Sequence, residues 1–473
     1  MSQGDDLCFL PAVELARMLR TKRVSSREVL AACLQQIERL NPKVNAIVTV
    51  VADRAMEQAK AADEAMARGG PLGLLHGLPV AHKDLNDTRG IRTTYGSRIY
   101  KDHVPESDEL IVERMRQAGA VTLGKTNTPE FGAGSHTFNE IFGRTLNPYD
   151  VSKTCGGSSG GAAVALACGM VALADGSDMG GSLRNPAAYC NVVGLRTAPG
   201  RVPRLSKWNA WSTLSVDGPM GRTVADTAYF LAAIAGPDAR SPIAISEPGA
   251  RFAEPLERSF RGARVGWFTD LGGVPFHPEI RAVVDEQKRV FQELGCVVEE
   301  AEPDFSGIDE AFKMLRGWTF EASYADLVAQ HRDLVKDTVI WEVERGARIT
   351  GRELARAEML RTQAYERARL FFQKYEYFVL PVTQVPPFAV TQAYPTEIAG
   401  VRMSTYIDWM KACYYISALG NPAISVPAGF TSEGLPVGLQ IVGRHQDEWS
   451  VLQLAHAYEA ATGHGKRRPA ISR

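Results

Sequence analysis

Apolar positions along this chain keep two rhythms, and the first seventy residues keep the helical one. Ser25 and Glu28 form a capping box, after which Val29, Leu30, Cys33, Leu34, Ile37 and Leu40 recur on one face. "NAIVTVV" (45–51) is the β-branched run of a strand, and "ADRAMEQAKAADEAMAR" (52–68) is an alanine-rich helix ended by Gly69-Gly70. From residue 75 the periods alternate quickly. "LPVAH" predicts a strand, 108–118 a helix, "AVTLG" a strand, the stretch after Gly160 a helix and "MVALAD" a strand. Beyond these, 223–236 and 277–295 read as helices, the second with proline in its first turn, and "ARVGWF" as a strand between them. The long charged stretch 306–375 is helical, carries several aromatics and predicts a cap over the sheet. "AISVPAGF" and "LPVGLQIVG" are two late strands before a closing helix near 446–461.

This alternation predicts an α/β fold: a mixed, mostly parallel, twisted central sheet with helices on both faces. Neither repeats nor low-complexity linkers divide the 473 residues. Residues 1–473 are therefore expected to form a single domain, with a helical part (1–70), a motif-rich core (75–200) and the helical segment 306–375.

Composition narrows the function. Lys plus Arg number 53 against 54 Asp plus Glu, so no basic field exists to hold nucleic acid or anionic lipid. The first twenty residues carry acids where a secretory leader carries bases, and no run of 18 apolar residues occurs. The seven cysteines (8, 33, 155, 168, 190, 296, 413) are odd in number and lack metal-type spacing. They read as reduced, buried thiols of a cytoplasmic protein. No two histidines stand at zinc-binding spacing, so neither metal nor other cofactor is expected.

"GAVTLGKT" (119–126) fits the phosphate-loop pattern through Gly119, Gly124, Lys125 and Thr126. The residues between the glycines are themselves an apolar strand, however, and a phosphate loop needs flexible residues there. A helix–turn–strand is the expected outcome.

The chemistry concentrates in two glycine-rich turns. "GGSSGG" (156–161) precedes a helix and "DMGGS" (178–182) follows a strand. Consecutive glycines let a backbone approach a ligand and turn its N–H groups towards a developing oxyanion. A serine hydroxyl needs a base, and neither turn holds one. "HGLPVAHKDLND" (76–87) places Lys83 at the end of an apolar strand. Buried there, a lysine loses its charge and becomes a proton acceptor, the logic of Ser–Lys catalysis.

Together "KDLNDTRGIRTTYGS", "GAVTLGKTNTPEF", "GGSSGG", "GSDMGGSLRNPAAYCNVVGLR" and "NPAISVPAGF…GLPVGLQIVG" resemble the amidase signature family of serine hydrolases over roughly residues 10 to 460. The resemblance implies Ser182 as nucleophile, Ser158 on a cis peptide as proton relay and Lys83 as base. Family members separate the two serines by 24 residues, as here (182 − 158 = 24). It further implies an oxyanion hole from the N–H groups of Met179, Gly180, Gly181 and Ser182. Ser177 would orient the lysine, with Asp178 and Arg184 as supporting scaffold and Ser159 structural. The chain departs from the family at His82, Cys155 and "GLRTAPGRVPR", none of which removes a catalytic group.

The implied activity is hydrolysis of a small amide through an acyl-enzyme. Phe131, Phe138, Trp208, Trp211, Trp318 and Phe320 are expected to wall the site and to favour aryl amides or anilides. Carbamates (a urethanase activity), esters and ω-amino amides stay open. The expected partner is the amide substrate, with no nucleic acid or membrane; a homodimer is left open. The rival reading is the glutamine-hydrolysing component of a tRNA-dependent amidotransferase. Against it, the segment 306–375 is rich in bulky groups (Phe312, Trp318, Phe320, Tyr324, Trp341) and carries no recognisable glutamine-binding pattern.

Overall fold

The computed structural model describes residues 7–206 and 209–472. Helices Ala12–Arg20 (α1) and Ser26–Val44 (α2) come first, and the capping box forms as read: Glu28 N–H donates to Ser25 Oγ, and Ser25 N–H donates to Glu28 Oε2 at 2.7 Å. Strand Ile47–Val50 (β1) leads into Ala52–Arg68 (α3), which stops where Gly69 turns to φ 75°. Strand Pro79–Lys83 (β2), helix Leu110–Gln117 (α4) and strand Val121–Thr126 (β3) follow. The false phosphate loop is thus a strand, with Gly119 at φ 85° closing the turn after α4.

Helix Gly160–Ala167 (α5), strand Leu173–Asp178 (β4) and the short helix Arg184–Tyr189 (α6) carry the glycine-rich motifs. β4 begins three residues later than "MVALAD" suggests, because Cys168 and Met170 still donate back to the last carbonyls of α5. Strands Val193–Arg196 (β5) and Val216–Gly221 (β6) were not legible; β6 reads "VDGPMG", two glycines and a proline in six residues. After Val224–Ile234 (α7) and Arg264–Trp267 (β7), the expected helix 277–295 is broken into Pro278–Asp285 (α8) and Lys288–Glu293 (α9). At the break Gln287 is buried, bonding the Val283 carbonyl and the Tyr458 hydroxyl, so a tertiary contact interrupts the local period. Strand Val297–Glu300 (β8) precedes three helices filling 306–375: Ile308–His331 (α10), Asp337–Gly346 (α11) and Gly351–Lys374 (α12). Tyr377–Pro381 (β9), Lys411–Leu419 (α13), the hairpin Ala423–Phe430 (β10) and Pro436–Val442 (β11), and Glu448–Thr462 (α14) complete the order.

Among the described residues eleven strands join in one sheet, in the order β1-β3-β2-β4-β6-β5-β10-β11-β9-β7-β8, with helices packed on both faces. The sheet is mixed, as expected, but parallel pairing is confined to its flanks, β3-β2-β4 and β9-β7-β8. The centre is antiparallel, since the hairpin β10–β11 admits no other direction and β6 and β5 meet their neighbours head to tail. No helix among the described residues is long and apolar enough to cross a membrane.

Candidate active site

The parallel flank brings the motifs together. β2 and β4 are neighbours, so Lys83 at the end of one lies beside Ser177 and Asp178 at the end of the other, where α/β sheets place their ligands. The serine loop 156–159 packs into the same corner. Thr137 Oγ1 donates to the Gly156 carbonyl at 2.8 Å and Ser135 Oγ to that of Gly157 at 2.5 Å. Helix α5 then starts against bare backbone: a Cβ on Gly161 would stand 2.3 Å from the Asn127 nitrogen. The Gly157–Ser158 peptide is cis.

Lys83 is fully buried. Its Nζ meets three hydroxyls, Ser158 Oγ at 2.7 Å, Ser159 Oγ at 2.9 Å and Ser177 Oγ at 3.0 Å. Burial drags the ammonium down to about 7, against the opposing pull of Asp217, Asp178 and Asp175. Near neutral pH the group is therefore an amine with a free lone pair for much of the time. Ser177 stands where the resemblance puts it, whereas Ser159, read as structural, shares the lysine.

Asp178 carries the second turn. Its Oδ1 accepts from Gly181 N–H at 2.8 Å and its Oδ2 from Leu183 N–H at 3.2 Å. Arg184 binds both oxygens at 3.1 Å and Arg196 adds a contact at 3.2 Å. Burial pushes this carboxyl up, but the two guanidiniums hold it well below the usual carboxylate range. Gly181 sits at φ 119°, and a Cβ there would come within 2.6 Å of Cys413 Cβ, so no other residue fits the turn. The assignment of four oxyanion donors needs one correction: Gly181 spends its N–H on Asp178. Among the described residues the N–H groups of Met179, Gly180 and Ser182 have no such acceptor. The Ser182 carbonyl accepts from Ser159 N–H at 3.2 Å, which ties the two turns together.

Ser158, Ser177, Met179, Gly180 and Ser182 all line one cavity of about 550 Å³, a size suited to a small organic molecule. Of the expected aromatics, Phe131 and Phe320 line it. Phe131 stacks on Tyr324 at 4.5 Å, and Phe312 also faces the cavity; Phe312 and Tyr324 went unassigned as lining residues because helical spacing does not reveal which face looks inward. Phe138 lies outside, its ring under Lys336 Nζ at 4.2 Å and against His136. Trp211 is 70 % exposed and does not line the cavity, nor does Trp318. Trp208 lies outside the described residues. Of the segment 306–375, only α10 walls the cavity.

Sequence reasoning missed Asp175, on which the end of β2 depends. It accepts from Lys83 N–H at 2.7 Å and Asn86 Nδ2 at 3.0 Å, and pairs with His82 Nδ1 at 2.6 Å. His82 bonds Thr122 Oγ1 through its other nitrogen at 3.1 Å and is a packed histidine. Cys155 is buried, its thiol pushed up to about 12, which leaves it unreactive. No group of His, Cys, Asp and Glu among the described residues is arranged to hold a metal ion.

A buried lysine under paired serines, beside a glycine turn of free N–H groups, is the equipment of a serine hydrolase. The chain belongs to the amidase family, whose model matches residues 28–452, and it is an amide hydrolase. It is 35% identical over 471 residues to an acylamidase of Rhodococcus erythropolis, covering 99% of this chain and 98% of that one. It is 36% identical over 490 residues to the A component of the Moorella thermoacetica glutamyl-tRNA(Gln) amidotransferase, covering 98% and 99%. Among solved structures, a bacterial aryl acylamidase of the amidase signature family superposes with a TM-score of 0.92 at 30% identity, covering 98% of each chain.

Proposed function

We propose that this protein hydrolyses small aryl amides, anilides first, through an acyl-enzyme on Ser182. The observation that carries the reading is the placement of Lys83 Nζ, buried and 2.7 Å from Ser158 Oγ, with Ser158 and Ser182 lining one cavity. Neutral Lys83 takes the Ser158 proton while Ser158 takes that of Ser182, whose Oγ attacks the amide carbonyl. The N–H groups of Met179, Gly180 and Ser182 receive the oxyanion. The proton returns through Ser158 to the leaving amine, and water, deprotonated along the same path, releases the acid. Asp178, fixed by Arg184 and Arg196, keeps the donor turn from relaxing between steps.

The aromatic preference is supported by Phe131, Phe312, Phe320 and Tyr324 around the cavity and by the likeness to an aryl acylamidase. The substrate is a free small molecule; nucleic acid and membrane have no part in this reading, and carbamate or ester turnover would use the same groups. A second reading, the glutaminase component of an amidotransferase, is favoured by the equally close relative of that name. The bulky cavity wall speaks for the first. A panel of anilides, aliphatic amides, carbamates, esters and glutamine decides between them, run with Lys83→Ala and Ser182→Ala controls. Anilide turnover lost in both variants is expected. Glutamine hydrolysis alone, raised by tRNA and a partner protein, would replace it with the second reading.

A further inference from the structure

Lys83 touches only hydroxyls, yet three carboxylates surround it: Asp175 and Asp178 on β4 and Asp217 on β6. Two of the three are spent on other work. Asp175 is held by the Lys83 N–H, Asn86 and His82, and Asp178 is saturated by two arginines and the nucleophile turn.

Asp217 differs. It is 1% exposed, and among the described residues neither of its carboxylate oxygens finds a well-aligned hydrogen-bond donor. Its ionic partner is Arg204, whose Nε stands 2.9 Å from Oδ2. The antiparallel register sets Asp217 directly opposite Ser177, so both side chains leave the same face of the sheet, and the Ser177 hydroxyl is 3.0 Å from Lys83 Nζ. A buried carboxylate whose compensation is one arginine is costly, and such a group in a folded protein calls for an explanation. Arg204 lines the cavity, 38% exposed, so the ion pair joins the cavity wall to the strand beside β4.

We propose that Asp217, gripped by Arg204, is a positioning residue for Lys83, a through-space negative charge that keeps the buried amine basic enough to take the proton of Ser158. The inference rests on the reading of Lys83 as the base. Burial alone would carry the amine further down until it could no longer draw a proton from a serine. Asp217 supplies the largest opposing pull, ahead of Asp178 and Asp175, and Arg204 moderates it. Those four, on β4, β6 and the segment before β6, are the charges that act on the lysine most strongly; the serine loop presents the Ser158 and Ser159 hydroxyls. Burial raises the Asp217 carboxyl above the ordinary carboxylate range, and Arg204 is the chief influence drawing it back down.

The test is the pH dependence of Ser182 labelling by a fluorophosphonate, which needs no knowledge of the substrate. Asp217→Asn is expected to move the acid limb down by roughly 0.5–1 pH unit and to lower the plateau, since the base is then weaker. The double variant Asp217→Asn/Arg204→Met leaves no unpaired buried charge; its limb moves the same way by less. A limb unmoved or raised in both variants overturns the proposal. Loss of the fold in both assigns the pair a purely structural role and overturns it equally. Lys83→Ala runs alongside: undiminished labelling there strikes at the base assignment, whereas lost labelling with an unmoved Asp217→Asn limb strikes only at this one.

Discussion

The ends of β2 and β3 each carry a fully buried lysine, and the two have opposite occupations. Burial lowers the proton affinity of both. Lys83 faces three serine hydroxyls, two of which also line the cavity. Lys125 donates to the Asn86 carbonyl, to Thr88 Oγ1 at 2.8 Å and to Thr93 Oγ1 at 3.0 Å, and does not reach the cavity. The register pairs Lys125 with His82 rather than Lys83, a one-residue offset that turns the two side chains to opposite faces. A buried lysine is thus not by itself a base. In the proposed mechanism Lys83 becomes one because its partners are hydroxyls, two of them on residues that line the cavity. The partners of Lys125 are a carbonyl and two threonines that tie down the loop after β2.

The widest separation should come from removing each amine in turn. Lys83→Met is expected to cut kcat/KM for an anilide by ~10³-fold or more with the fold intact, since the general base is gone. Lys125→Met should leave catalysis nearly as it was at low temperature but cost about 3 kcal/mol of stability, the loop's acceptors having lost their donor. Thermal unfolding of both variants beside steady-state rates checks this. A Lys125→Met enzyme that is folded and inactive would erase the distinction.

Next in size is the response to pH. As the proposed base Lys83 works uncharged, so kcat/KM should rise through about pH 7 and level off above it. The linkage to stability has the sign of a depressed lysine. Between about 7 and its unfolded value of 10.5 the unfolded chain binds the extra proton, so this site makes stability rise with pH across that window. Below about 7 both states are protonated and the unfavourable contribution is complete. Lys83→Met removes the slope, and denaturant titrations at pH 6.5 and 9 measure it. A wild-type activity profile flat from pH 5.5 to 9 would mean that a different group limits the reaction.

That Lys83, Ser158 and Ser177 meet, with Ser182 on the same cavity, was legible because Lys83 ends an apolar strand and the serines sit in short, ordered glycine motifs. The capping box of α2 and the two late strands β10 and β11 were legible because local spacing dictates them. What escaped depends on neighbours distant in sequence. Strand β6 looks like a turn until β4 and β5 pair with it on either side, and with β6 went Asp217. Asp175 ends an apolar run like any other and acquires its role only across the β2–β4 gap. Phe138 and Trp211 carry the right chemistry in the right segments, but side-chain direction turns one under Lys336 and the other to solvent.

The finest test removes one hydroxyl from each lysine. Ser177→Ala takes away the 3.0 Å contact to Lys83 and leaves Ser158 and Ser159 in place. The amine keeps its burial but loses one of three directions that aim it at Ser158, so kcat should fall ~10-fold with KM and stability little changed. Thr93→Val takes away the 3.0 Å contact to Lys125 and keeps the shape of the side chain. Here the expected loss is about 1 kcal/mol of stability, with kcat unaltered. The two variants delete equivalent bonds, one hydroxyl from one buried lysine, so any difference in what they damage belongs to where the lysine points. If Thr93→Val lowers kcat as much as Ser177→Ala does, the loop that Lys125 holds is part of the catalytic apparatus, and the line drawn between the two lysines is in the wrong place.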